Sequence, residues 1–413
     1  MKINKKFRRG FALVLGLLIF VPFNNCSNGF HSLPSTTSES SLRATSTPVA
    51  PALPVSPATP IPVIPPVVAP VVAPVSSGKV QVFMAAGKIA RTIMSCDDGV
   101  TWINDRSDDD NARCWITGDP NYVECDHDAR SFTGLDVGSD GWFYSQFGWG
   151  FNGTVRRSRN GILWETIRSG GWGGGLAVAF NHVVSEFENN MQLSIDQGVT
   201  FKAPTNWITN YDHAFLYRAG SKLINKGRGV GQVAISLDGG DTWKSAANFE
   251  SSWGGVGFAE GNGILVSLGN LKTVGLPDNG YAARSLDNGI TWTAVKVVAD
   301  NYWTMPIQFN GTDFMAWSPG YAWKSKDGVT WTQIPITIDG QVSPYWAGSV
   351  SRNPLTGTYV SITGNWGSWY AKQTAIRSSD GIRWTTLDTA HFKGGHPIGK
   401  IVIGEIDASA CGK

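Results

Sequence analysis

The stretch "SLDGGDTW", Ser236 to Trp243, decides how this chain is read. A hydroxyl, two carboxylates and paired glycines would suit either a reactive site or a tight turn. Repetition separates the two. "SCDDGVTW" begins at Ser95, "SIDQGVTF" at Ser194 and "SLDNGITW" at Ser285, and a form one residue shorter begins at Ser158 ("SRNGILW"), Ser325 ("SKDGVTW") and Ser378 ("SSDGIRW"). That makes seven copies, keyed by Asp97, Asn160, Asp196, Asp238, Asp287, Asp327 and Asp380, at spacings of 36 to 63 residues. Chemistry has no use for seven equal copies in series, so the phrase reads as a structural turn. Its carboxylate accepts hydrogen bonds from turn amides, and its glycine supplies a backbone conformation that side chains disfavour. The aromatic residue that follows opens the next strand.

Between copies the order is constant: a strand of small residues, a loop, a second strand, then the turn. "GGGLAVAFNHVVSEFENNMQLSIDQGVTF" and "PIQFNGTDFMAWSPGYAWKSKDGVTW" both show it. Four short strands in a repeat of about 48 residues make a propeller blade. The repeated phrase resembles the Asp-box, or BNR repeat, of sialidase-like β-propellers, and the resemblance covers residues 79–413. The expected fold is therefore all-β, a seven-bladed β-propeller of four-stranded antiparallel blades. The ends predict how it closes. "KVQVFMAAGKIARTIMSCDDGVTW" holds only the second to fourth strands of a blade, and "HPIGKIVIGEIDASACGK" holds one strand more. Lys400 to Glu405 is thus expected to be the inner strand of the first blade, which leaves no exposed sheet edge.

The N-terminal segment has a different character. Lys2, Lys5, Lys6, Arg8 and Arg9 precede the apolar run Phe11 to Phe23, too short to span a bilayer, so residues 1–25 read as a signal peptide. Cys26 follows in "NNCSNGF", which resembles a bacterial lipobox and implies lipidation at Cys26, although Phe23 and Asn25 depart from the usual residues. The alternative is simple secretion. Residues 26–78 read as a tether: His31 to Gly78 holds eleven of the 21 prolines and no Trp, Tyr or Cys. Such a Pro-rich spacer favours polyproline II and reaches on the order of 150 Å. The expected location is the bacterial cell envelope, lipid-anchored, with Ser27 favouring the outer membrane. Membrane contact is expected through the anchor only, and the propeller is expected to be a monomer. A net charge of +2 with no basic stripe argues against nucleic acid. Four further cysteines in an exported chain permit disulfides, with Cys114 to Cys125 and Cys96 to Cys411 the preferred set among three pairings.

Tryptophan points to function. Of 18 Trp, six belong to the repeated turns and twelve need another account. Trp172, Trp253, Trp303 and Trp346 each stand just before an inner strand, where other blades carry Tyr211, Asp212 and His213, or His396, or Arg130 and Phe132. An aromatic residue at the start of each inner strand would form a collar around the channel mouth, which Trp149, Trp317, Trp366 and Trp369 would widen. Exposed aromatic rings suit the faces of sugar rings, so carbohydrate is the expected ligand and an envelope protein the alternative partner.

Few residues of the sequence point to catalysis. Resemblance to sialidases implies an arginine triad with an Arg-Ile-Pro motif, and no Arg-Ile-Pro occurs here; Arg130, Arg218, Arg228 and Arg352 are scattered. A different glycosidase would need two carboxylates across the scissile bond, for which Asp212, Glu186, Glu188 and Glu250 are the loop candidates. The catalytic residues stay unassigned. No metal site or cofactor is expected, save that Asp108, Asp109, Asp110, Asp126 and Asp128 offer oxygen ligands of the kind calcium takes. The reading favoured is a non-catalytic binding module, with a glycoside hydrolase or a protein-interaction propeller as alternatives.

Overall fold

The structure is a computed structural model that describes residues 78–107, 132–148, 153–188, 190–207, 215–227, 232–249, 256–269, 281–296, 306–342, 349–363, 374–389, 392 and 398–412. Among them the chain is all-β: seven antiparallel sheets follow one another in sequence as the blades of a propeller. The inner strands are Ile398–Asp407, Phe132–Val137, Gly173–Ala179, Phe215–Ala219, Val256–Gly261, Ile307–Phe309 and Ser349–Arg352, for the first to seventh blades. Closure is as the sequence predicts, but longer. Ile398–Asp407 pairs antiparallel with Lys79–Gly87 from Lys79 opposite Asp407 to Gly87 opposite Ile398. Gln81 Nε2 donates to Glu405 Oε1 at 2.9 Å, and Lys79 Nζ lies 2.8 Å from Asp407 Oδ1.

Both faces of every blade are buried, because each sheet is covered by a neighbour on either side. The core is accordingly divided among the described residues into seven apolar clusters, one per seam. Alternate residues of one strand serve opposite seams: Met84 and Ala86 pack toward the second blade, Phe83 and Ala85 toward the seventh. Trp317 shows what the sequence reading missed. It lies in the strand Phe314–Ser318, fully buried between the sixth and seventh blades, and not in a loop beside a collar.

Each repeated turn is closed the same way. In the fourth blade Ser236 Oγ donates to Asp238 Oδ1 at 2.8 Å, Gly240 N donates to Ser236 Oγ at 2.7 Å and Thr242 N donates to Asp238 Oδ1 at 2.9 Å. The second blade does this with an amide, Asn160 Oδ1 accepting from Ile162 and Leu163 N. The glycine also seats the turn on the blade before it. A Cβ on Gly161, Gly198, Gly240, Gly289, Gly328, Gly381 or Gly99 would meet, in ring order, Met84, Ile167, Val184, Ile235, Val266, Trp317 or Val360. Gly240 has φ +101° and its Cβ would sit 2.3 Å from Val184 Cγ2, a stiff β-branched neighbour. Gly240→Ala is expected to cost about 2 kcal/mol, by positive-φ strain and overpacking together. A urea titration in which the variant unfolds at the wild-type midpoint would remove this account.

The aromatic residue of the turn packs against the connector arriving from the preceding blade. Trp243 meets Trp207 edge-on at 5.8 Å, Trp292 meets Phe249 at 4.9 Å and Trp102 meets Phe392 at 6.1 Å. The connectors are also hydrogen-bonded to the turn: Thr205 N to Asp241 O, Ala247 N to Ile290 O and Thr337 N to Ile382 O, at equivalent places in the fourth, fifth and seventh blades. In the seventh blade this strap becomes a hairpin, Thr337–Ile338 with Gln341–Val342, added parallel to the outer strand. The third blade is the lightest. Its outermost position is a single bridge, Leu193 to Lys202, beyond three full strands.

The turn carboxylates carry a pH signature. Bonds from the Thr200 hydroxyl and amide and from Ser194 hold the Asp196 carboxyl down to about 2. In Asp97, Asp238, Asp287 and Asp380 partial burial pushes upward, and the same kind of bonds outweigh it. In Asp327 the Thr330 amide leads the lowering. A carboxyl lowered by folding contributes stability that is complete above its unfolded value, near 4, and is lost as pH falls through its folded value. Unfolding is therefore expected to set in as pH falls from about 4 toward 2. Tryptophan fluorescence against pH checks this, and a midpoint near pH 5 would contradict it.

Candidate functional site

The strand ends opposite the repeated turns are those where the second strand hands over to the third, and the fourth to the next inner strand. Most of the segments joining them fall outside the described residues. So do Tyr211, His213, Trp253, Trp303, Trp346 and His396 of the expected collar, Cys114 and Cys125, the carboxylates Asp108 to Asp128, Asp212 and Glu250, and everything through residue 77 with Cys26. Trp172 is described. It stands half-buried immediately before the inner strand Gly173–Ala179, and its carbonyl accepts the Glu188 amide at 3.0 Å. Glycines make this end compact: Gly173 N donates to Gly148 O at 3.0 Å, and Gly153 N to Gly171 O at 2.7 Å.

Beneath Trp172 lies a polar layer that the sequence reading did not resolve. Glu186 is not a loop residue but part of the strand His182–Phe187, and it is 1% exposed. Its carboxylate occupies the space over Gly174, where a Cβ would lie 1.9 Å from Oε2. Glu188, in the adjoining turn, packs likewise over Gly171. In the preceding blade Gln146 is fully buried, donating from Nε2 to Glu186 O at 3.0 Å and accepting from Ser185 Oγ at 3.3 Å. In the following blade Asn225 and Lys226 are both buried. Burial holds the Lys226 amine down to about 8, and its ammonium donates to Gly227 O at 3.2 Å. In a sequence the polar pairs Ser145-Gln146, Ser185-Glu186 and Asn225-Lys226 read as a strand giving way to a loop; the signal, a polar interruption late in the second strand, is visible only once blades are superposed.

The two described arginines of the expected set, Arg218 and Arg352, have separate partners. Arg218 is committed to Asp136 of the second blade, Nη2 to Oδ1 at 2.9 Å, while Asp136 Oδ2 accepts Val178 N at 2.8 Å. That set pins the second, third and fourth blades together near the turn side of their inner strands. Lys400 stands by it on the first blade; burial lowers its basicity, Asp136 opposes that and Arg218 adds to it. Arg352 lies over the Tyr359 ring at 5.6 Å. Arg130 and Arg228 fall outside the described residues. The expected bridge between Cys96 and Cys411 is present, with Cα atoms 5.9 Å apart. Among the described residues no cluster of His, Cys, Asp and Glu is arranged to hold a metal ion.

No family model matches the chain, and no curated protein matches it. Among solved structures it is similar to YCF48 from Cyanidioschyzon merolae, at 12% identity with a TM-score of 0.44 over 64% of this chain and 86% of that one. It is also similar to the GH74 xyloglucanase from Xanthomonas campestris, at 13% identity with a TM-score of 0.51 over 74% of this chain. That match takes in 52% of the xyloglucanase, so the chain spans about half its length, and the likeness is one of fold: a β-propeller.

Proposed function

We propose that this chain is an envelope-anchored propeller of the Asp-box type that binds carbohydrate without cleaving it, through an aromatic collar opposite the repeated turns. One observation carries the reading: Trp172, half-buried and fixed by its backbone at the start of an inner strand. Trp253, Trp303 and Trp346 precede Val256, Ile307 and Ser349, where three other inner strands begin, and His213 and His396 precede Phe215 and Ile398. Tryptophan repeated at one step of a ring offers several stacking surfaces to an extended glycan. The signal segment, Cys26 and the Pro-rich spacer support tethering at the cell surface or periplasmic face, and no cofactor is part of the proposal.

The test is binding of the full-length chain to an array of β-glucan, mannan, xylan and galactan oligosaccharides, with unbound glycans recovered intact. Trp253→Ala/Trp303→Ala is expected to weaken binding about a hundredfold, since each indole stacked on a sugar contributes about 1–1.5 kcal/mol. Binding untouched by the double substitution would exclude the collar. Shortened glycans in the recovered material would exclude the non-catalytic reading.

A further inference from the structure

The seven second strands can be compared residue by residue, because each pairs a residue with the serine that opens the repeated turn: Phe83 with Ser95, Phe143 with Ser158, Val183 with Ser194, Leu223 with Ser236, Leu265 with Ser285, Phe314 with Ser325 and Tyr359 with Ser378. Three residues further on, toward the face opposite the turns, the first, fifth, sixth and seventh blades carry Ala86, Leu268, Trp317 and Ile362. The second, third and fourth carry Gln146, Glu186 and Lys226, each no more than 1% exposed. The polar exceptions are consecutive. They mark one sector of an otherwise apolar ring, and Trp172 stands at the head of that sector's middle blade.

This position faces the next blade, where it meets the residue two beyond the serine partner. Gln146 meets Ser185 in that way, as Leu268 meets Ala316 and Ile362 meets Ala85. The residue met is alanine or serine in every blade but the fourth, which carries Asn225. By the same register Glu186 faces Asn225 across the seam of the third and fourth blades. Asn225 is completely buried, and among the described residues neither its Nδ2 nor its Oδ1 has a hydrogen-bond partner. An amide so placed costs stability unless something supplies its bonds, and a small residue would serve the packing, as it does in six other blades.

We propose that the seam of the third and fourth blades is the polar floor of the ligand site, with Glu186 and Asn225 recognising adjacent hydroxyl groups of one sugar unit below Trp172. The proposal rests on the carbohydrate reading and deepens it. A carboxylate accepts from hydroxyls, and a carboxamide both donates to and accepts from them, so the pair matches a vicinal diol. Glu186 needs Gly174 opposite it, and Gly174 is the second residue of the inner strand that follows Trp172, which ties the floor to the collar through two residues of chain.

The experiment uses the full-length chain and affinity electrophoresis in gels containing β-glucan, mannan, xylan or galactan. Glu186→Gln and Asn225→Leu are each expected to weaken retention about tenfold or more, the cost of a lost bond to a charged or buried group. Ile362→Val, at the equivalent position of the seventh blade, should leave retention unchanged. Asn225→Leu should also melt at or above the wild-type temperature, since it removes an unbonded amide. A lower melting temperature for Asn225→Leu would make the amide a structural part and overturn the inference. Wild-type retention by both floor variants, with loss in Trp172→Ala, would overturn the floor and leave the carbohydrate reading standing. A wild-type chain that none of the four polysaccharides retains would overturn both.

Discussion

Trp317→Ala is expected to lower the free energy of unfolding by about 3–5 kcal/mol, near the upper end for any single truncation in a packed core. The indole is fully buried at the seam of the sixth and seventh blades. It meets Tyr359 at 5.7 Å and Trp384 at 6.4 Å between ring centroids, both edge-on, and donates from Nε1 to Gly381 O at 2.7 Å. Gly381 belongs to the repeated turn of the seventh blade, and its Cβ position lies 3.0 Å from Trp317 Cζ2. Truncation therefore opens a cavity where one blade rests on the next, and leaves the Gly381 carbonyl only the longer bond from Trp384 Nε1, at 3.2 Å. Trp317→Phe should recover much of the packing and none of the hydrogen bond, and should fall between alanine and wild type. A urea titration measures both. A change under about 1 kcal/mol for alanine would mean that the seam collapses freely around the gap, contrary to the close packing described. Glycan binding should be unaffected, which separates this Trp from Trp172.

How Trp317 could be misplaced shows what the sequence carries and what it hides. The repeated turns announce themselves, because Asp, Gly and an aromatic residue are needed together at fixed steps for one local conformation. Counting strands between turns then yields both the blades and a closing strand at Lys400 to Glu405, which the structure extends to Ile398–Asp407. Within a blade the signal weakens. Both faces of each sheet are buried, so strands lack the alternation that would separate inward from outward residues. A Trp in "FMAWSPG" then looks as available as one in a loop. Glu186 suffers the opposite error: a carboxylate reads as exposed, yet Gly174 across the inner strand makes room for it inside. The straps formed by Thr205, Ala247 and Thr337 were illegible for a third reason. They are backbone bonds, and no side chain records them.

Loss of the Cys96–Cys411 bridge is expected to cost about 2–5 kcal/mol, and its local effect is as informative as its size. The bridge spans a sequence separation of 315, so in the chain-entropy model it removes much of the freedom of the unfolded chain. That contribution leaves the native state alone. The bridge also has a native role. Cys96 lies in the repeated turn of the first blade, and Cys411 ends the short 3-10 helix Ala408–Cys411 that follows the closing strand. Both half-cystines pack against the cluster between the first and second blades. They fasten the last element of the chain to the blade that its strand completes, where ring closure otherwise depends on a single pairing with Lys79–Gly87. Cys96→Ser/Cys411→Ser should accordingly raise amide exchange in Ile398–Asp407 well above that in the inner strand Phe132–Val137, before the ring as a whole opens. A melting temperature that falls while exchange rises equally in every inner strand would assign the whole effect to the unfolded chain. An exchange increase confined to the closing strand would show that the ring opens first at its own seam.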